Sequence, residues 1–571
     1  MAEKIKKTIP WFLALVLFGI VSVVIFNIGK PTPSEVKADI STTTVTVANS
    51  APTWVAVYEN PESSTSTPTN ATSTVTFKGQ ADDPNNESWY LLICKGTGYS
   101  TTTGGGCSTC TAGAWGTSTL TTDNATATVT YTTVAGDAEN NAWYAYACDN
   151  NSTSQMCTSV SQGTGATAPQ YSPFVVNHRP SFTAQGNSGP VNPAAVIAFS
   201  ASSTDTDSYG GNDTLTFTVC KTSGLSGIWC DGGSSDTWCT TTAASNPSCT
   251  STAPDPSEGA QNYYPYIFDN HNFAATGTQG ALQTFTVNNV TPQVSNVTLN
   301  SGNIINLSVG GEGPNGSTTI YATADVVDHN GCSDFTTGIT VKAYPTGIGA
   351  GGCTSQNNNT CYYNISCTAG PCQGNGYTAT TSCTINFKYH ADPTDTGTPR
   401  VSETWKDTVT AQDEALSGSN ELTTGIELQS YLALDVTSQI QYGTLAQGEI
   451  SDTTNLPQTA TTTATGNTGL DIELSGTKMC TDFENYPNCA GNTITTSSQK
   501  YATSSVQYQN ATSLATSTAV ELELNCQKTI VTASPANKAN WWGLQVPLGT
   551  QTGSYTGQNT YTAVRAETGD W

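Results

Sequence analysis

Charge is scarce in this chain: Asp, Glu, Lys and Arg together make up 11% of its 571 residues. So few ions leave the surface to be solvated by hydroxyls and amides, which the abundant Thr, Ser, Asn and Gly supply. Basic residues are scarcer still. Eighteen Lys and Arg stand against 43 Asp and Glu, a net charge of −25. That excludes nucleic acid as a partner, because a phosphate backbone is bound by clustered Lys and Arg. It suits solubility outside the cell and cation binding. Four histidines and three methionines leave little stock for catalysis or metal ligation. His178, His271, His329 and His390 each read as surface loop residues, and none lies in a Gly-x-Ser-x-Gly or His-Glu-x-x-His context. A nucleophile needs a base oriented by a third group, and no such set is legible, so the chain reads as no enzyme. A spatial carboxylate pair of the glycosidase kind leaves no local signature. No sustained helical period occurs anywhere after residue 38.

What is present begins with an address. Lys4, Lys6 and Lys7 precede an apolar run from Ile9 to Ile28. About twenty residues, each rising ~1.5 Å in a helix, cross a hydrocarbon core. The basic N-terminal flank puts that end in the cytoplasm and everything after it outside. Residues 1–38 are therefore a membrane anchor, or a signal segment cleaved near Val36-Lys37-Ala38. Either way the chain is exported, membrane-anchored at the cell surface in the first case and secreted in the second.

One short pattern, Val-x-Asn-x-x-Pro, sets the layout of the rest. It occurs at Val47 to Pro52, Val175 to Pro180 and Val287 to Pro292, with starts 128 and then 112 residues apart. Spacing of about a domain length marks tandem modules and their joints. Valine suits the end of a strand, Asn tolerates turn geometry, and Pro sits where no ladder donor is needed. No Gly/Ser linker intervenes, so neighbouring modules should sit close and flex little. The expected units are 39–176, 177–288, 289–416 and 417–571, all of them β.

The first two units echo each other. Trp89 to Lys95 answers Leu215 to Lys221, each ending Cys-Lys, and Trp143 to Asn150 answers Tyr263 to Asn270, each ending Asp-Asn. About seven short alternating strands in 110–130 residues have the size and spacing of an immunoglobulin-like sandwich. In Trp89-Tyr90 and Trp541-Trp542 adjacent aromatics point to opposite faces, so one of each pair belongs to a core and the other is free for a stacked sugar. The 18 cysteines fall in module-sized groups of five, four, six and three, as intramodule disulfides of an oxidising compartment would. Cys107-x-x-Cys110 alone has zinc or redox spacing, without a second pair at finger distance. The odd groups imply bridges shared between modules or free thiols.

Ala81-Asp82-Asp83-Pro84, and Asp205-Thr206-Asp207 followed by Asp213-Thr214-Leu215-Thr216-Phe217, resemble the Asp-x-Asp…Asp-Thr-Leu-Thr-Phe run of cadherin-like and related immunoglobulin-like repeats of prokaryotic cell-surface proteins. Asp328-His329-Asn330-Gly331 is similar to an Asp-x-Asn-Gly element of other surface immunoglobulin-like domains. The stretches from Thr461 to Gly476 and from Trp542 to Thr550 resemble a β-sandwich found at the ends of exported prokaryotic proteins. The resemblance implies surface arrays, in some cases stiffened by Ca²⁺ near the joints. Asp205, Asp207 and Asp213, with Asp82 and Asp83 in the first module, offer the hard oxygens Ca²⁺ takes; the competing reading makes them turn formers bonding their own backbone. The expected protein is a disulfide-stapled surface rod, on the order of 130–150 Å at ~3.3 Å per strand residue, for adhesion or envelope structure. Its partners would be the membrane, surface polysaccharide or neighbouring surface proteins. The alternatives are a carbohydrate- or Ca²⁺-dependent binding module and an accessory part of an extracellular hydrolase.

Overall fold

Strict two-residue alternation is what builds the sheets here. In Thr74–Asp82 and Val196–Thr204 every second side chain is buried, while Trp89–Cys94 and Leu215–Cys220 bury nearly every residue at the centre of the facing sheet. Half-buried and fully buried strands packed face to face make a sandwich. The computed structural model describes residues 43–571 except 102–103, 105, 107, 166–170, 308–315, 336 and 532–533. The N-terminal apolar run and Cys107 lie outside the described residues, among which no helix is long and apolar enough to cross a membrane.

The protein is all-β, a tandem series of immunoglobulin-like sandwiches. In the first, Thr74–Asp82 runs antiparallel between Thr53–Glu59 and Thr126–Thr132, and Trp89–Cys94 between Tyr144–Asp149 and Ala114–Thr117. Phe77, Leu91, Val129, Trp143 and Phe174 fill the space between the sheets. In the second, Val196–Thr204 and Ser181–Asn187 face a sheet centred on Leu215–Cys220 and Gly259–Phe268, around Phe199, Phe217, Ile267 and Phe285. The third is one seven-stranded sheet from Gln293–Leu299 to Ser417–Glu421, folded over so that Asn420 Nδ2 donates to Val294 O at 3.1 Å. Its core takes in Ile426 and Leu428. In the fourth, Gln458–Ala464 and Asn537–Gln545 face Leu470–Gly476 and Asn559–Arg565 around Ile472, Leu474 and Trp542. Trp89 and Trp542 are the buried members of the aromatic pairs; Tyr90 and Trp541 are half-buried.

Eight disulfides tie the described residues, each within one sandwich: Cys94–Cys110, Cys148–Cys157, Cys220–Cys230, Cys239–Cys249, Cys332–Cys372, Cys353–Cys361, Cys367–Cys383 and Cys480–Cys489. Cys110 is thus half of a bridge, and Cys526 is a free, buried thiol. So many bridges place the folded chain in an oxidising, extracytoplasmic compartment.

The joints are packed. Phe273 of the second sandwich enters the core of the first, with Arg179 4.0 Å above its ring. Glu139 of the first sandwich accepts from the backbone N–H groups of Ser208 and Tyr209 at 2.7 and 2.5 Å. At the next joint, Asn330 Nδ2 donates to Ser257 O and Asn288 O, both at 2.9 Å, and His329 Nδ1 meets Asp255 at 2.9 Å.

Candidate cation sites at the module joints

Each joint Asn stands at the head of a sandwich, beside two loops that carry acids. The first loop follows the alternating strand and opens on Asp83, Asp205 or Asp328. The second carries Asp149 as the last residue of its strand, or Asp269 or Asp413 immediately after it. Between them the first loop adds Glu87, Asp213 or Asp334. The fold therefore delivers one amide and three acids to the same end of three successive sandwiches.

The first acid behaves alike in all three. One oxygen caps its own turn, accepting from the N–H two residues on: Asp83 Oδ1 from Asn85 at 2.7 Å, Asp205 Oδ1 from Asp207 at 3.1 Å, Asp328 Oδ1 from Asn330 at 2.9 Å. The other oxygen, Oδ2, is buried without a hydrogen-bond partner in every case. The joint amides repeat this: Oδ1 of Asn49, Asn177 and Asn289 is buried and unpartnered. At the first two joints the amide is oriented by its nitrogen, which donates to Asp149 Oδ2 at 2.8 Å and to Asp269 Oδ2 at 2.9 Å. Glu87 Oε2 and Asp413 Oδ2 are orphaned as well.

An orphaned buried acceptor costs about 1–3 kcal/mol, and buried polar groups are almost always satisfied. All these orphans are oxygens, none is a donor, and they recur at equivalent positions. At the first joint Asp83, Glu87 and Asp149 each place an oxygen within 4.8 Å of the others, and at the second Asp205, Asp213 and Asp269 do the same. Burial, with like-charged neighbours adding to it, pushes Asp205 up to about 6 and raises Asp83 and Asp213, and burial alone raises Asp269 against the hydrogen bonds it accepts. His271 Nε2 is 3.9 Å from Asp213, and the Asn270 amide, turned nitrogen-inward, donates to the same carboxylate at 3.0 and 3.1 Å. At the third joint burial and repulsion from Asp334 and Asp413 raise Asp328, and Glu258 of the preceding sandwich is raised by burial and by Asp334, with which it shares a hydrogen bond. Crowded acceptor-only oxygens fit a hard cation such as Ca²⁺, which takes six to eight oxygen ligands. A turn accounts for one oxygen of each first Asp and leaves the second unexplained.

Of the residues singled out in the sequence, the structure brings together Asp205 and Asp213, and puts Asp83 in the matching group. Asp207 is engaged elsewhere: its oxygens accept from His178 Nδ1 at 2.7 Å and from His178 N at 2.5 Å, bracing the joint. Asp82 is exposed at a strand end, paired through its backbone with Thr53. Glu87, Asp149, Asp269, Asp328, Asp334 and Asp413 were not read as ligands, although Asp328 opens the Asp-x-Asn-Gly element and the repeated Asp-Asn strand endings carried the signal for Asp149 and Asp269. His390 corrects the expectation of a surface loop: it is fully buried against the fourth sandwich, and burial holds it down at about 4.

No known family pattern matches the chain, and no curated protein matches it. Among solved structures it is similar to the full ectodomain (Ig1–Ig3) of mouse nectin-like molecule 4, at 6% identity and a TM-score of 0.27, over 63% of this chain and 96% of that one. A marsupial T cell receptor gives 7% identity and 0.24, over 62% and 98%. The alpha-2-macroglobulin of E. coli gives 10% and 0.15, over 84% and 29%. These scores are too low to bear on function.

Proposed function

We propose that the chain is an exported, non-enzymatic surface protein: a rod of disulfide-stapled sandwiches whose joints are clamped by Ca²⁺, serving adhesion or envelope structure. The observation that carries this is the recurrence of the same unpartnered oxygens, from the joint Asn and the first loop Asp, at three successive joints. At Asn177 and Asn289 a cation ties the joint segment, which continues the preceding module, to both loops of the following one, and at Asn49 it ties the segment that leads into the first sandwich. Rigidity is then conditional on the ion, which matters to a projecting rod and has no evident use in an isolated binding domain. The apolar N-terminal run attaches the rod to a membrane in this reading, and its outer modules meet surface polysaccharide or neighbouring surface proteins.

The test uses the full chain stripped with chelator. Titrated Ca²⁺ should bind at about one ion per joint by calorimetry and narrow the spread of conformations in small-angle scattering. No heat and identical scattering in both buffers would overturn the proposal.

A further inference from the structure

The third and fourth sandwiches meet around a group of side chains unlike anything at the other joints. Lys528 follows strand Val520–Cys526 and reaches across into the third sandwich. Its Nζ lies 2.7 Å from Asn359 Oδ1, 2.8 Å from Asp392 Oδ1 and 3.0 Å from His390 O. The lysine side chain is 12% exposed, Asn359 8% and His390 0%. Asn359 is fixed on several sides. Its Oδ1 also meets His390 Nδ1 at 3.1 Å, its Nδ2 donates to Ile530 O at 2.7 Å, and its backbone carbonyl accepts from Asp392 N at 2.9 Å.

An amine, a carboxamide and a carboxylate are thus held in contact in an enclosed interface, the amine from one sandwich and the other two from its neighbour. Burial favours the neutral amine and outweighs the contact with Asp392, which favours the charged form, so Lys528 is lowered; the nearby Arg400, which itself shares Asp392 at 2.7 Å, works in the same direction as burial. A neutral lysine amine is a nucleophile. Amides resist attack in water because the carbonyl oxygen must take up charge, and a preorganised donor lowers that barrier. His390, kept neutral by burial, can donate its Nδ1–H to the Asn359 oxygen. Fixed contact replaces a bimolecular encounter.

The geometry points to an intramolecular isopeptide bond between Lys528 and Asn359 that joins the third and fourth sandwiches covalently. Lys528 Nζ attacks Asn359 Cγ as the neutral amine, Asp392 takes the proton that the newly bonded, positively charged nitrogen gives up, and the Cγ–Nδ2 bond breaks. The departing nitrogen collects the proton from Asp392 and leaves as ammonia. No oxidant, reductant or cofactor enters. A cavity of about 560 Å³, bordered by Asn359, Asp392, Lys528 and Trp571, gives the ammonia a way out. The bond does not depend on cations at the other joints.

The experiment is peptide mapping of the full chain, reduced, denatured and digested with trypsin. The expected product is a branched peptide joining residues 343–388 to 501–538, uncut at Lys528 and about 17 Da lighter than its two parts. Asp392→Asn keeps the amine and the amide, and should yield the two peptides separately, with cleavage at Lys528. Quantitative release of unmodified 501–528 from the natural protein would overturn the proposal and leave Lys528 and Asp392 a plain buried ion pair. A branched peptide persisting in Asp392→Asn would overturn the role given to the carboxylate.

Discussion

Replacing Asp205 with Asn distinguishes a cation ligand from a turn former by the sign of its effect. Asn keeps the oxygen that accepts from Asp207 N–H and puts an NH₂ where the unpartnered Oδ2 now faces Asp213 and Asp269. Without a cation the carboxylate is a burden: burial and its neighbours carry Asp205 from its ordinary 3.8 to about 6. A displacement of that size corresponds to about 3 kcal/mol for a sealed group, and to about 1–1.5 kcal/mol once water around this partly exposed side chain is allowed for. In chelator at pH 7.5 the variant should therefore be about 1 kcal/mol more stable than the natural protein. With Ca²⁺ at a hundred times its Kd, the natural protein gains about 2.7 kcal/mol, most of which the variant forgoes, so the order inverts. Hydrogen exchange of the Leu215–Cys220 amides, the strand fed by this loop, reads the second sandwich within the intact chain. No change in either buffer would make Asp205 a plain turn residue, whose capping oxygen Asn keeps, and an equal loss in both would show that the ion makes no difference; either refutes the reasoning.

The same carboxylate has a pH signature. Because its folded pKa lies above the unfolded one, the stability it lends is fully present below about 3.8 and is lost as pH rises through about 6. Chelator-stripped protein should lose protection in the second sandwich over that interval, while Asp205→Asn loses less; identical profiles would count against it. Glu59 is sealed in the first core, hydrogen-bonded to Trp143 Nε1, and burial pushes it up to about 8 from 4.5. Its stabilising contribution is complete below 4.5 and gone above about 8, so the natural protein should lose stability between pH 5 and 8, by on the order of 3–5 kcal/mol, and Glu59→Gln should not. Urea unfolding followed by tryptophan fluorescence at pH 5 and 8 checks this, and parallel curves would exclude it. The Cys332–Cys372 bridge spans 40 residues and Cys353–Cys361 spans 8. Loop entropy assigns them about 4 and about 2.5 kcal/mol, so the corresponding double Ala variants should differ in denaturant midpoint in that order.

Much of the architecture was legible because the sandwiches depend on local alternation. Phe77, Leu91 and Trp143 could be placed by their two-residue period and by the aromatic strands they occupy, and the joint motif located the ends. The sites were only half legible. A cation site gathers oxygens from segments distant in sequence: Asp149 lies 66 residues after Asp83, and only the pairing of Tyr144–Asp149 with Trp89–Cys94 brings that strand to the same end. Asp82 and Asp207 looked as good as their neighbours in the sequence. Asp82 and Asp83 are adjacent at a strand end, so their side chains diverge, whereas Asp207, two residues beyond Asp205, is drawn off by His178 of the joint segment. His390 and Lys528 were invisible for the opposite reason. Each sits in a polar loop that reads as surface, and only the docking of the fourth sandwich buries them.

The strand that ends in the last acid of each site also begins at the next joint. In the second sandwich Glu258 immediately precedes strand Gly259–Phe268, and Asp269 immediately follows it. In the first, Glu139 precedes the segment running through Tyr144–Asp149, and it is Glu139 that holds the Ser208 and Tyr209 amides of the following loop. Glu258 in the same way faces Asp334 of the third sandwich. One continuous piece of backbone, about 33 Å for ten residues, thus carries an acid at each end, one for the joint above and one for the joint below. Its hydrogen bonds to Leu215–Cys220 and Gln283–Val287 leave it no freedom to slide within the module. A cation fixing one end of that strand therefore limits where the acid at the other end can stand. On this geometry successive joints should not stiffen independently, and Asp269→Asn in the second joint should lower the Ca²⁺ affinity of the third, a site to which it contributes no atom. Unchanged affinity at the third joint would show that each joint responds alone.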